Sequence, residues 1–225
     1  GEDKPDALVR ARKLALEGVE RFPSSPGGRR CLHIVKSIES PDYSILAMRV
    51  DAVERRSILV EHRNLDRVFL RAFALDIEEL VRTSKDYSIF PQGEEARKIA
   101  ESRKPDAAWT VELAKAADFR GHRTFASLPK GLAPGLYLVA ASARPDFSDA
   151  NNKAVGLCAV VGDLVMVKRS GGGPGGGVEV LVLSGGTGRP VPGATVDLYA
   201  FNWRRGHAKA ESKATDAAGR VWFAP

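Results

Sequence analysis

"GGTGRPVPGATVDLYAF" (Gly185–Phe201) and "ATDAAGRVWF" (Ala214–Phe223) decide how the C-terminal part of the chain is read. Val196 and Leu198 alternate with Thr195 and Asp197, the period of a half-buried strand. Val180, Val182 and Tyr199 join them as candidate sheet-face residues. Pro190 and Pro192 have no amide N–H to give a sheet, so "GRPVPG" belongs at an edge or a corner. Gly188 and Gly193 allow turn conformations closed to other residues. In "TDAAG" (Thr215–Gly219), the Asp216 carboxylate is placed to accept hydrogen bonds from its own following backbone. Turn, strand, turn and strand in this order are the punctuation of a β-sandwich. They are not a catalytic loop.

Working upstream, "VEVLVL" (Val178–Leu183) is another strand. "SGGGPGGG" (Ser170–Gly177) is glycine-rich, but no Lys-Ser/Thr follows it and a strand comes next. It therefore reads as a flexible hairpin loop, not a phosphate cradle. "AVGLCAVVGDLVMVKR" (Ala154–Arg169) is strand-like and breaks at Gly162-Asp163. Further strands are expected at Ala107–Leu113, Arg123–Pro129 and Gly135–Ala143. Ile58, Val60 and His62 alternate, as do Leu46, Met48 and Val50; Phe69 and Phe73 alternate with Arg71 in "RVFLRAFAL". "GEEARKIAESRKP" (Gly93–Pro105) carries Ala96, Ile99 and Ala100 on one helical side and reads as an insertion between strands.

Before Tyr43 the period is helical. Leu8, Ala11, Ala15, Val19 and Phe22 fall near one face of a first helix. After "PSSPGG", Cys31, Ile34, Val35 and Ile38 form the stripe of a second, which Pro41 stops. Two short helices joined by a turn make a hairpin like the end of a helical-repeat array. The fold class is mainly β: tandem sandwiches preceded by a short helical hairpin. The expected divisions are 1–42 for the hairpin, 43–162 for a sandwich with a helical insertion near 93–103, and 163–225 for a second, incomplete sandwich.

Charge and chemistry exclude several classes. The net charge of +6 is spread: eight basic against seven acidic residues in 1–42, eighteen against sixteen in 43–162, eight against five in 163–225. No segment forms a nucleic-acid-binding stripe. No apolar run reaches the roughly 18 residues of a membrane helix. "GEDKPDALVR" lacks the apolar core of a signal peptide, and "RVWFAP" stops within a strand, so a piece of a longer chain is expected. Cys31 and Cys158 lack a CxxC neighbour or a histidine at ligand spacing. His33, His62, His122 and His207 lie on different elements with nothing in their spacing to make them converge. Asp76, Glu78, Glu79, Glu94 and Glu95 read as solvated charge, and "DANN" (Asp149–Asn152) as a turn, not a calcium loop. No GxSxG occurs. No catalytic residue, cofactor site or metal site is assigned. The best binding candidate is "FNWRRGH" (Phe201–His207), where Phe201 and Trp203 interleave with Arg204 and Arg205. Its simpler reading is an inter-strand loop whose Trp203 packs on a neighbouring domain. Trp109 and Trp222, inside strands, are expected in the core.

The ordered set "VLVLSGGTGRPVPGATVDLY…ATDAAGRVWF", with "RNLDRVFLR", "LPKGLAPGLYLVAASA" and "VGDLVMVKR" before it, resembles the N-terminal macroglobulin-type domains of bacterial alpha-2-macroglobulin-like proteins. The resemblance covers roughly residues 43–225. It implies tandem fibronectin-III-like sandwiches in a non-enzymatic, exported, periplasmic or cell-surface protein that traps proteases. In that family a bait region is cut and, in many members, a Cys–Gln thioester captures the attacker. Neither "RRCLHIV" nor "GLCAVVG" has the CxEQ-like context, so no thioester or bait region is assigned here. The implied partners are neighbouring domains and, through the full-length protein, target proteases. The helical lead-in departs from the simplest family layout. An adhesion or binding module, or the stalk of an exported enzyme, also fits the sandwich pattern.

Overall fold

A computed structural model of the chain describes residues 4–47, 56–114, 116–148, 152–171 and 176–225. Two helices, α1 (Ala7–Arg21) and α2 (Pro26–Glu39), form the N-terminal hairpin. Pro26 occupies the first turn of α2, and the Ser25 hydroxyl accepts from the Gly28 amide, which closes that helix start. Arg12 reaches Glu39 across the pair at 2.6 Å. Ala15, Val35 and Ile38 are its buried apolar side chains.

The first sandwich has two antiparallel sheets. One is ordered β1 (Asp42–Ala47), β2 (Ser57–Arg63), β5 (His122–Ser127). The other is ordered β4 (Ala107–Glu112), β3 (Arg67–Leu75), β6 (Gly135–Ser142), β7 (Ala154–Val161). Their facing sides close one core: Tyr43, Ile45, Ile58, Val60 and Ala126 meet Val68, Leu70, Ala72, Val139 and Ala141. The expected alternation at Ile58, Val60 and His62 is present, every second residue of β2 being buried. Met48 and Val50 lie outside the described residues.

Helix α4 (Gly93–Ser102) covers the outer face of the second sheet, placing Ala96 and Ala100 against Phe73, Leu138, Ala140 and Phe147. This explains why "LYLVAAS" is apolar almost throughout: β6 has the partner sheet on one side and α4 on the other. Arg71, on the α4 side of β3, lies over the Phe147 ring at 4.1 Å and donates to the Ala100 and Pro145 carbonyls. A further helix, α3 (Ile77–Thr83), was not expected. The Asp76 carboxylate caps it by accepting from the Glu78 and Glu79 amides at 2.9 and 3.1 Å. The residues read as plain surface charge are a helix start, where acidic side chains meet unpaired N–H groups.

The second sandwich sets β12 (Arg220–Phe223), β9 (Val178–Ser184) and β8 (Leu164–Ser170) against a hairpin of β10 (Thr195–Asn202) and β11 (Gly206–Ala214). Val180, Val182, Val221 and Phe223 form its core, with Val196 and Leu198 packed on them. β11 was not anticipated. Trp222 departs from expectation: paired with Glu179 across the strands, it is 36% exposed and lies outside the core. Trp109 is half-buried and packs against the first core. Among the described residues, no sheet mixes strands from before and after Gly162.

The stretch around "GRPVPG" is held by Thr215. Its buried hydroxyl donates to the Val191 carbonyl at 2.6 Å and accepts from the Ala194 amide at 2.9 Å. Gly193 has φ +71°. Asp216 accepts from the Ala218 and Arg220 amides, closing the second turn.

Candidate protein-contact site

The candidate loop is the tip of the β10–β11 hairpin. Phe201 pairs with His207 and Asn202 with Gly206, leaving Trp203, Arg204 and Arg205 as the turn. The Asn202 side-chain oxygen accepts from the Arg204 and Arg205 amides at 2.8 and 3.3 Å, and the Asn202 carbonyl accepts from the Arg205 amide. Gly206 follows at φ +74°. A turn followed by a left-handed glycine is a common three-residue hairpin connection.

The tip rests on the segment between α3 and α4 of the first sandwich. Phe201 meets Tyr87 edge-on at 5.6 Å, and Trp203 and His207 flank it at 4.9 and 4.8 Å. The His207 Nε2–H donates to the Asp86 carbonyl at 2.9 Å. A Cβ on Gly206 would lie 3.0 Å from the Ser84 carbonyl oxygen, so the backbones approach closely there. The receiving loop is braced from within: the Ser84 hydroxyl bridges to the Asp86 and Ser88 carbonyls. Lower on the hairpin, Lys209 pairs with Asp197 at 2.8 Å. That bond, with one from Ser212, lowers the Asp197 carboxyl, and Asp197 in turn raises Lys209.

The expected roles within the loop are therefore redistributed. Phe201, not Trp203, makes the inter-sandwich contact, because hairpin register puts it in the last pairs of the ladder. Trp203 is 80% exposed beyond the end of the ladder, beside exposed Arg204 and Arg205.

The two sandwiches also meet where β7 passes into β8. Gly162 and Asp163 form the whole connection. Arg56 donates to the Gly162 carbonyl at 3.1 Å. The Asp163 carboxylate accepts from the Gly186 amide at 2.7 Å, and hydrogen bonds from Ser184 and Gly186 hold its carboxyl below the usual range.

Two histidines that the sequence left apart are neighbours. His62 and His122 pair directly across β2 and β5, ring centroids 6.0 Å apart. The His62 Nε2 is 3.1 Å from the Thr124 hydroxyl, and the His122 Nε2 is 2.9 Å from the Asp118 carboxylate. His62 is 3% exposed, and burial, then His122, pushes its imidazole to a lower pKa. Only strand register brings them together, and residue spacing carries no register. Among the described residues no three His, Cys, Asp or Glu side chains gather as metal ligands, and no helix is long and apolar enough to cross a membrane. Cys31 and Cys158 are free thiols; burial, then Glu95, raises Cys158. Of Asp149–Asn152, only Asn152 is described: it donates to the Ser142 hydroxyl and the Ser148 carbonyl.

No protein-family model matches the sequence, and no curated protein matches it significantly. Solved structures do match. Native alpha-2-macroglobulin from Escherichia coli, spanning domains NIE-MG1, is similar with a TM-score of 0.51 and 17% identity, over 83% of this chain and 88% of that one. The form spanning MG0-NIE-MG1 gives a TM-score of 0.51 and 16% identity, over 81% of this chain and 57% of that one. The architecture shared over most of the chain is thus that of the NIE-MG1 part of a bacterial alpha-2-macroglobulin.

Proposed function

We propose that this chain is a non-catalytic scaffold segment of an exported, alpha-2-macroglobulin-like protease trap. In this reading residues 43–162 and 163–225 are two sandwich units behind a helical hairpin of residues 1–42. Their task is mechanical: to form a stiff part of a frame around which distant reactive segments rearrange. The observation that carries the reading is the double attachment between the sandwiches, together with the shared architecture. One attachment is the Gly162–Asp163 connection, and the other is the hairpin tip on Asp86 and Tyr87. Phe201 and His207, in the ladder just below the exposed turn, are engaged within the chain, which supports a structural role for this hairpin. The surroundings would be periplasmic or cell-surface, and the partners neighbouring domains and, through the whole protein, the trapped protease.

The test uses the full-length protein. Incubated with an endopeptidase, it should leave cleavage of a small peptide substrate intact while blocking cleavage of a large protein substrate, the signature of a trapped enzyme. The 225-residue chain alone should leave cleavage of both substrates intact. Stoichiometric inhibition of the protease's own active site, or hydrolysis by the chain itself, would overturn the proposal.

A further inference from the structure

The helical hairpin is seated on the first sandwich at two points, and both flank the His62–His122 pair. Asn64, two residues beyond His62, donates its side-chain amide to the Ile38 carbonyl at 2.6 Å and to the Ser40 carbonyl at 3.1 Å, at the end of α2. Phe119, the neighbour of Asp118, lies under the Arg12 guanidinium of α1 at 5.4 Å. Among the described residues, Asn64 and Phe119 are also two of the three non-glycine residues with positive φ, at +55° and +59°. Each is held in a sparsely populated conformation that its surroundings must maintain.

The surroundings are a polar row on the core-facing side of the first sheet. Tyr43 on β1 stands opposite His62 on β2, which stands opposite His122 on β5. The Tyr43 hydroxyl donates to the Ala141 and Lys153 carbonyls, and burial pushes its pKa up to about 12, so it stays neutral. Lys153 lies over the Tyr43 ring and pairs with Asp42. Glu61, on the other face of β2, pairs with Arg123 of β5. The Asp118 carboxylate accepts from His122 and from the Arg120 amide. Asp42 and Glu61 thus have partners outside the row, and Asp118 is already held by His122. A proton arriving on His62 meets burial first, and then the His122 ring 6.0 Å away.

We propose that the His62–His122 pair is an acid-sensitive seat for the helical hairpin. Protonation of the buried His62 ring loosens the sheet end that positions Asn64 and Phe119. The α1–α2 pair then swings out about Ser40-Pro41 while the remainder of the sandwich stays folded. The sign follows from linkage. A histidine lowered in the folded state is neutral at pH 7.5, and the seated form loses stability as pH falls below about 6.5, the ordinary histidine value.

The seat can be read by distance. Spin labels at Leu14→Cys and Phe125→Cys, both exposed positions, would be placed in the full chain with Cys31→Ser and Cys158→Ser. Pulsed electron paramagnetic resonance should show one narrow distance at pH 7.5 and a longer or broad distribution at pH 5. His62→Gln, which retains a group able to bond Thr124 but cannot take a proton, should keep the narrow distance at pH 5. If that variant folds poorly, His62→Asn, which likewise takes no proton, replaces it and should do the same. An unchanged distribution between the two pH values would overturn the proposal. So would an equal broadening in parent and His62 variants, or loss of the sheet circular-dichroism signal over the same pH range.

Discussion

Gly193 and Gly219 occupy the two turns that bracket β10 and β11, and both have positive φ, +71° and +72°. Their surroundings differ. A Cβ at Gly193 would meet nothing within 4 Å, whereas one at Gly219 would lie 2.6 Å from the Val182 carbonyl oxygen and 3.0 Å from Pro190. Backbone strain alone opposes substitution at the first; strain and collision oppose it at the second. Gly193→Val should cost roughly 1–3 kcal/mol, the scale of an unfavourable backbone region. Gly219→Ala should cost more than Gly193→Ala. Arg204→Ala and Arg205→Ala, exposed at the hairpin tip, should cost about 0.5 kcal/mol or less. Urea melts of these five glycine and arginine variants against the parent check this order. A Gly219→Ala variant as stable as Gly193→Ala would show that the backbone there yields.

At the scale of elements, what the sequence discloses depends on how much of an element is decided by burial. Strands β2, β3 and β6 face a core, and their apolar pattern is visible without coordinates. β11, "GHAKAESKA", faces no core along most of its length, and its alanines and charges have little preference for a strand. It is a strand because β10 is opposite it. Helix α3 has seven residues, two turns, too short for a period to show, and it buries no residue fully. The signal that was present lay in its cap, Asp76 followed by two glutamates. Asp76→Ala should therefore act on this helix and cost about 1 kcal/mol, the usual value of an N-cap. Hydrogen exchange should localise the effect, with amides of residues 78–83 exchanging faster and those of β6 unchanged. The candidate loop was half legible for the same reason. Aromatics beside turn residues announced a contact, but which aromatic makes it depends on hairpin register, and that register shifts at a bulge between Leu198 and Tyr199.

For the whole molecule, the decisive contact is Phe201 on Tyr87. An edge-to-face aromatic pair contributes about 0.5–1.5 kcal/mol beyond its buried area. That is small against the stability of either sandwich core but large for a contact that fixes orientation. Phe201→Ala should leave each core folded and widen the range of angles between the sandwiches. Small-angle scattering would register this as a broader pair-distance distribution and a larger maximum dimension, with circular dichroism unchanged. A scattering curve identical to that of the parent would assign the orientation to the Gly162–Asp163 connection and the His207–Asp86 hydrogen bond.

The length of the β10–β11 hairpin gives that contact leverage. Eight extended residues span about 25 Å, so a rotation of only about 5° at the root of the hairpin displaces its tip by about 2 Å. That is enough to separate edge-packed rings and to stretch the His207–Asp86 hydrogen bond beyond use. The pair of sandwiches should therefore not bend in proportion to load. It should resist small torques almost without deflection, then give way abruptly when the tip slips, as a catch does and a spring does not.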